Sequence, residues 1–189
     1  MAQLVHELHT DRLTLRPFEL SDLDDVSRIY EHDEVNRYLY WETRSPEESF
    51  DALQRHLDRP QEIIEDNVMP VAVVLRDTGH VVGDFLLRWT ENVHRQGEIG
   101  GSLHPEQQGN GYASEVYREL LTIGFVQFDL HRIVGRCDAR NIASVRSLQK
   151  VGLREEARLV ENEFVKGEWT DEVIMAIRKR EWKLQHDTS

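Results

Sequence analysis

The sequence predicts a mixed α/β domain in which strands come in runs broken by helices. Three observations predict it. The hydrophobic period switches along the chain between about two and about 3.6 residues, in the order β-α-α-β-β-β-α-β-α-β-β. Apolar residues at 39% and charged residues at 31% give the balance of a globular domain with a well-charged surface. No repeat, low-complexity tract or linker interrupts the chain, so residues 1–189 read as one domain with its core from about 10 to 180.

Each element has a local cause. Arg12-Leu13-Thr14-Leu15-Arg16 alternates apolar and polar and reads as a half-buried strand ended by Pro17. Ser21 with Asp24 has the spacing of a capping box, and Val26, Ile29 and Tyr30 give the next helix its apolar stripe. A second helix is expected from Ser45 as cap and Pro46 at the first helical position, with Phe50, Leu53 and Leu57 turned inward. Val71 to Leu75 and Val81 to Leu87 form a hairpin around a short polar loop, and Gly97 to Leu103 is a further strand. Tyr112 to Asp129 carries Val116, Leu120, Leu121, Gly124, Phe125 and Phe128 at helical spacing. His131 to Cys137 is a strand, and Asn141 to Val151 a helix stopped by Gly152. Glu161 to Lys166 and Asp171 to Arg178 close the chain as a hairpin around Lys166-Gly167-Glu168.

Composition excludes several classes of function. A net charge of −12 argues against broad nucleic-acid or membrane-surface binding, which needs basic patches, and is compatible with a cationic substrate such as an amine. No run of about 18 apolar residues is present, and the opening segment lacks a basic start followed by an apolar stretch. With a single cysteine, Cys137, these features point to the cytoplasm. The nine histidines show no paired metal-ligand spacing, so no metal is expected.

The segment Pro105 to Ala113 carries the most chemistry. Gly109 and Gly111 let the backbone turn several amides toward one point, and the helix that follows adds unpaired N–H groups and a positive dipole end. Such a loop suits a phosphate. Asn110-Gly111 is also a strong hairpin signal, but the downstream period is helical rather than alternating. Gly109-x-Gly111-x-x-Ser114 approaches a dinucleotide fingerprint. Against it, Pro105 to Gln108 intervene after the strand and Ser114 stands where the third small residue belongs. A Walker A loop is excluded because no Lys-Ser/Thr follows.

Gln108-x-x-Gly111-x-Ala113 is similar to the Q/R-x-x-G-x-G/A signature of the GNAT superfamily of acyl-coenzyme A transferases. Thr10 to Pro17, Gly97-Glu98-Ile99-Gly100, Leu130 to Ile133, and Asn141-x-x-Ser144 to Leu153 resemble its RimJ/RimL-type branch, typified by N-terminal acetyltransferases of ribosomal proteins. The resemblance covers nearly the whole chain. It implies the GNAT fold, a central, mostly antiparallel, twisted mixed sheet flanked by helices. It also implies acetyl-CoA as co-substrate, held by Gln108, Gly109, Asn110, Gly111, Tyr112 and Ala113 at its pyrophosphate. The strand before the loop would splay from its neighbour, with Leu103 bonding the pantetheine arm and the Gly101 amide facing the thioester carbonyl. A plain bulge at Gly100-Gly101 would free the same amides.

Asn141 and Ser144 share a face at a helix start, where Asn141 suits the cap. The resemblance implies that Asn141 also bonds the pantetheine and that Ser144 donates to the departing thiolate. Leu148 stands where many relatives carry a tyrosine as general acid. Glu163 matches the general-base position of this branch, with Glu161 on the same strand face and Glu98 as rivals. Tyr38, Tyr40 and Trp41 lie where the family builds its acceptor groove, though core packing accounts for one or two of them. Lys150 reads as a surface lysine, His104 has no assigned role, and Cys137 reads as a small buried apolar residue.

The acceptor must attack as a neutral amine. Deprotonation at pH 7 costs about 1 kcal/mol for an α-amine and about 4.6 kcal/mol for a lysine. A protein or peptide N-terminus is therefore the first choice, and a polyamine, amino acid or aminoglycoside the second. Another acyl group, a coenzyme-binding sensor without catalysis, and a homodimer are further readings compatible with the sequence.

Overall fold

The computed structural model describes residues 7–59 and 67–186, so the first residues of the opening segment lie outside it. Its centre is one eight-stranded sheet in the order β1-β2-β3-β4-β5-β6-β8-β7. The strands are β1 (Leu8–His9), β2 (Leu13–Arg16), β3 (Val68–Leu75), β4 (Val81–Glu91), β5 (Gln96–Leu103), β6 (Arg132–Asp138), β7 (Arg154–Val165) and β8 (Glu168–Arg178). Every neighbouring pair is antiparallel except β5 with β6. The helices are α1 (Leu23–Tyr30), α2 (Asp33–Asn36), α3 (Pro46–Leu57), α4 (Tyr112–Thr122), α5 (Ile142–Lys150) and α6 (Lys179–His186).

Helices cover both faces of the sheet. β3 shows why its sequence reads as an unbroken apolar run. Val71, Val73 and Leu75 point into the core shared with α4 and α5, whereas Ala72 and Val74 point into the core under α1 and α3. A strand buried on both sides needs apolar residues at every position. The expected elements are all present, and β1, α2 and α6 are additional. Each of the first two is too short to show a period, and the stripe of α6 is confined to a buried Trp182.

Four local expectations are corrected. The box at the entry to α1 is made by Glu19 and Asp22 rather than Ser21 and Asp24. Asp22 is 5% exposed because it also holds Arg16 through two bonds of 2.7 Å. Phe50 is exposed, and α3 buries Ser49, Ala52 and Leu53. The helix from Tyr112 stops being α-helical at Thr122 and continues as one wide turn over Ile123–Gln127, with the Phe128 amide reaching back to the Ile123 carbonyl. Between Leu159 and Glu163 the register of β7 shifts against β8, so Glu161 (φ 47) sits on a bulge and leaves the face that Glu163 keeps.

The feature that positions the site is the short β5–β6 pairing. It runs over Gln96↔Arg132, Gly97↔Ile133 and Glu98↔Val134 and then ends. β5 stays paired to β4 up to Leu103, and β6 stays paired to β8 up to Asp138. The sheet therefore opens into two halves beyond Glu98, and Leu148 of α5 is buried against Gly135 at the opening.

Replacing Leu148 with Ala should cost about 2–5 kcal/mol, whereas Phe50→Ala should stay within about 0.5 kcal/mol. Urea unfolding of the two variants beside the parent checks this, and equal losses would contradict the burial pattern.

Candidate active site

The opening exposes backbone groups of β5. The His104 amide donates to the Val82 carbonyl at 2.9 Å, which makes that pair hydrogen-bonded. Antiparallel alternation then makes Gly83↔Leu103 and Phe85↔Gly101 non-hydrogen-bonded pairs. The amides of Gly101 and Leu103 consequently turn away from β4, toward the gap left by β6. The bulge considered for Gly100-Gly101 is absent, since the register is regular from Leu87↔Ile99 to Gly83↔Leu103. Strand separation frees these amides instead. Gly101 is required by packing: a Cβ there would stand 2.4 Å from Phe85 Cγ and 2.8 Å from the Asp84 carbonyl oxygen.

Beyond β5 the chain forms the glycine loop. Gly109 (φ 79) and Gly111 (φ 84) are both left-handed, and Gly111 caps α4 with no side chain taking up its first amides. Gln108 Nε2 donates to the Leu103 carbonyl at 3.3 Å, and Arg12 Nη1 holds the Asn110 carbonyl at 2.9 Å. Arg12 is itself fixed by Glu115 and lies 4.6 Å from the centre of the Tyr112 ring. The loop is thus braced by side chains on its carbonyl side, and α4 begins behind it with Tyr112 and Ala113.

A cleft of about 520 Å³ occupies the opening between the two half-sheets. Gly100, Gly101 and Ser102 form one side; Cys137, Asn141 and Ser144 form the other. Asn141 caps α5 by accepting from the Ser144 amide at 3.0 Å through Oδ1, which leaves its Nδ2 for a ligand. Burial pushes the Cys137 thiol up, and a hydrogen bond with Ser144 opposes that rise. Tyr117, 3% exposed and packed edge-on against Phe85, and Leu148 line the floor.

The outer end of the cleft is built from Tyr38, Tyr40 and Trp41 on one side and Glu163 on the other. Tyr40 and Trp41 are 61% and 42% exposed, so they do not pack the core as one reading of the sequence allowed. Tyr40 donates to Glu163 Oε1 at 3.0 Å, and its hydroxyl is pushed up by burial and by that carboxylate. Glu163 has no cation paired with it among the described residues. Glu161 is off the face, and Glu98 does not line the cleft; burial raises the Glu98 carboxyl while Arg136 and Arg88 oppose the rise.

Sequence reasoning missed a cluster on the cleft wall. Tyr30 donates to Asp84 Oδ2, and His56 Nε2 lies 3.1 Å from both that oxygen and the Tyr30 hydroxyl. His56 stacks on Phe18 at 4.8 Å, and burial followed by the Asp84 charge pushes the Tyr30 hydroxyl up. The signal was a lone carboxylate in the apolar run Val81 to Leu87. On the other half-sheet Glu172, 1% exposed, holds Arg136 at 2.6 and 2.9 Å. The cleft therefore joins Gly101, Asn141, Ser144, Glu163, Tyr38, Tyr40 and Trp41. Leu103 and the residues Gln108 to Ala113 stand outside its lining, at the inner end of the β5 edge.

A model of the acetyltransferase (GNAT) domain matches residues 12–154. The chain belongs to the GNAT acetyltransferase family. This GNAT enzyme is 31% identical over 173 residues to YnaD of Bacillus subtilis, named as an uncharacterized N-acetyltransferase, across 92% of this chain and 97% of that one. The crystal structure of a GNAT-family acetyltransferase from Bacillus anthracis matches with a TM-score of 0.82 at 25% identity, over 93% of this chain and 100% of that one. Spermidine N-acetyltransferase from Vibrio cholerae, solved in complex with CoA and spermine, matches with a TM-score of 0.76 at 25% identity, over 92% and 99%. The GNAT fold expected from sequence is the fold observed, and the protein is an acyltransferase.

Two outcomes test this geometry. Gly111→Val places a β-branched residue at φ 84 and should weaken acetyl-CoA binding at least about tenfold with the fold retained; calorimetric titration showing parental affinity would remove the loop from the site. Glu98→Gln should raise the melting temperature at neutral pH. The folded Glu98 carboxyl titrates above its unfolded value, so its charge costs stability once the pH exceeds that unfolded value. The gain should shrink as pH falls toward about 4, where the parent carboxyl is itself protonated.

Proposed function

We propose that this GNAT enzyme acetylates the α-amine of a peptide or protein N-terminus by direct transfer from acetyl-CoA. The observation that carries the reading is one cleft in which the open edge of β5 ends beside Glu163, a carboxylate with no cation partner among the described residues. The pantetheine arm is a chain of amides, and the outward amides of Gly101 and Leu103 offer it a strand edge to pair with. The Asn141 Nδ2 group would add a donor from the opposite side. The amides of the glycine loop suit the pyrophosphate, since φ near 80° at both glycines is what turns successive N–H groups to one side.

The chemistry assigned to the residues balances. The neutral amine nitrogen forms the new amide bond to the acetyl carbon as the carbon–sulfur bond breaks. Gly101 N–H would donate to the carbonyl oxygen as it gains charge, a contribution of about 3 kcal/mol where such donors have been removed. Glu163 would take the amine proton, directly or through water, with Tyr40 fixing the orientation of its carboxylate. Ser144 would donate to the departing sulfur, which leaves as thiolate and takes its proton from solvent. An α-amine suits this base better than a lysine, whose deprotonation costs about 3.4 pH units of driving force at neutral pH.

The sequence motifs support placement in the RimJ/RimL-type branch. A polyamine acceptor is the second reading, supported by the spermidine acetyltransferase of Vibrio cholerae. Acetyl-CoA thiol release measured in parallel with N-terminal peptides, polyamines and aminoglycosides decides between them. Glu163→Gln should lower kcat about 10²- to 10⁴-fold with little change in acetyl-CoA affinity. Unchanged turnover at neutral pH would remove Glu163 from the mechanism.

A further inference from the structure

The acidic balance of the chain is inverted inside the cleft. Eight Arg or Lys side chains line it against four Asp or Glu, in a chain that carries 23 against 35. Ion pairs account for part of the excess: Arg136 is held by Glu172, and Arg140 by Asp138 and Glu168. Arg37, Arg44 and Arg55 have no carboxylate partner among the described residues. The Arg44 guanidinium lies 4.4 Å from the Tyr30 ring centre and 5.0 Å from that of Trp41. The Arg37 guanidinium lies 5.3 Å from the Tyr38 ring. Ring faces hold a guanidinium in place without cancelling its charge. All three arginines stand between α1 and the end of α3, on the wall that carries Tyr40 and Trp41 and away from the glycine loop.

On this ground we propose that the acceptor is an amine bearing carboxylates close to its nucleophilic nitrogen, recognised by Arg37, Arg44 and Arg55. The proposal rests on the acetyl-transfer reading above and narrows its acceptor. Guanidinium groups bind carboxylates through paired N–H donors, and a wall of them selects by repulsion as well as attraction. A polyamine would bring several ammonium groups against that wall. The remaining cleft carboxylates are engaged: Asp84 by Tyr30 and His56, Asp138 and Glu168 by Arg140. Among the described residues Glu163 is the cleft carboxylate with no cationic or imidazole partner, which fits it to the single amine at the reacting end. The −12 overall charge misleads here, because its carboxylates lie elsewhere on the surface.

The test is acetyl-CoA thiol release with C-terminally amidated Ala-Glu-Glu-Glu, Ala-Gln-Gln-Gln and Ala-Lys-Lys-Lys, together with free aspartate and spermidine. The acidic peptide, free aspartate or both should show kcat/KM at least about tenfold above the glutamine peptide, and the lysine peptide and spermidine should fall below it. Peptide against free aspartate tells which source of the shared chemistry the cleft takes. The advantage of the acidic acceptor should shrink as ionic strength rises. The double variant R37E/R55E should reverse the order toward the lysine peptide, with acetyl-CoA affinity and melting temperature matching the parent; if it fails to fold, the salt dependence of the parent carries the test. Equal or faster turnover of the glutamine peptide, lysine peptide or spermidine overturns the proposal while leaving acetyl transfer intact. Release with none of the amines overturns both.

Discussion

The structure depends on how early β5 and β6 part. Parallel pairing holds for three residues, and then each strand continues with its own antiparallel partner. An unpaired strand edge in a protein interior is costly unless something else satisfies its amides. Here it lines a cleft, so the edge is available to a ligand rather than lost to the core. Buried Leu148 and Tyr117 sit at the bottom of the gap. Their bulk lies where the strands diverge. Gly101 is confined to glycine by Phe85, a member of the same core. The backbone that would receive the thioester is therefore held by packing, not by a flexible loop.

Charge is organised around that gap at two levels. Close to the opening, polar groups are paired tightly: Arg136 with Glu172, and Asp84 with Tyr30 and His56. Such pairing costs desolvation and returns orientation. Farther out, Arg37 and Arg44 lie against aromatic rings with no carboxylate partner among the described residues. Glu163 stands between these levels, oriented by a neutral hydroxyl from Tyr40.

Most of the fold was legible along the chain because its elements have strong periods and clear stops. The cap at Ser45, the helix of Asn141 and the terminal hairpin turn at Lys166-Gly167 all appear where local chemistry puts them. Where the reading failed, tertiary contacts overrode local signals. Asp22 was drawn inward by Arg16, which moved the capping box two residues back to Glu19. The bulge in β7 needed the Asp171 carboxylate to accept the Glu161 amide across the hairpin, and no period records that. Phe50 looked like core by type, yet α3 turns Ser49, Ala52 and Leu53 inward and leaves Phe50 exposed.

What the sequence determined by itself was the geometry of the glycine loop and of the start of α5: left-handed glycines before a helix, an asparagine cap, a serine one turn on. These are local, since backbone conformation and helix starts are decided within a few residues. The outer end of the cleft was decided only by the tertiary structure. Tyr40 and Glu163 are 123 positions apart, and Tyr30 and Asp84 are 54 apart. Net charge, a sum over the whole chain, was compatible with a cationic substrate; folding sorted the charges and left arginines along the cleft. Electrostatic selectivity depends on distances between side chains, and those distances exist only once the two half-sheets have been set apart.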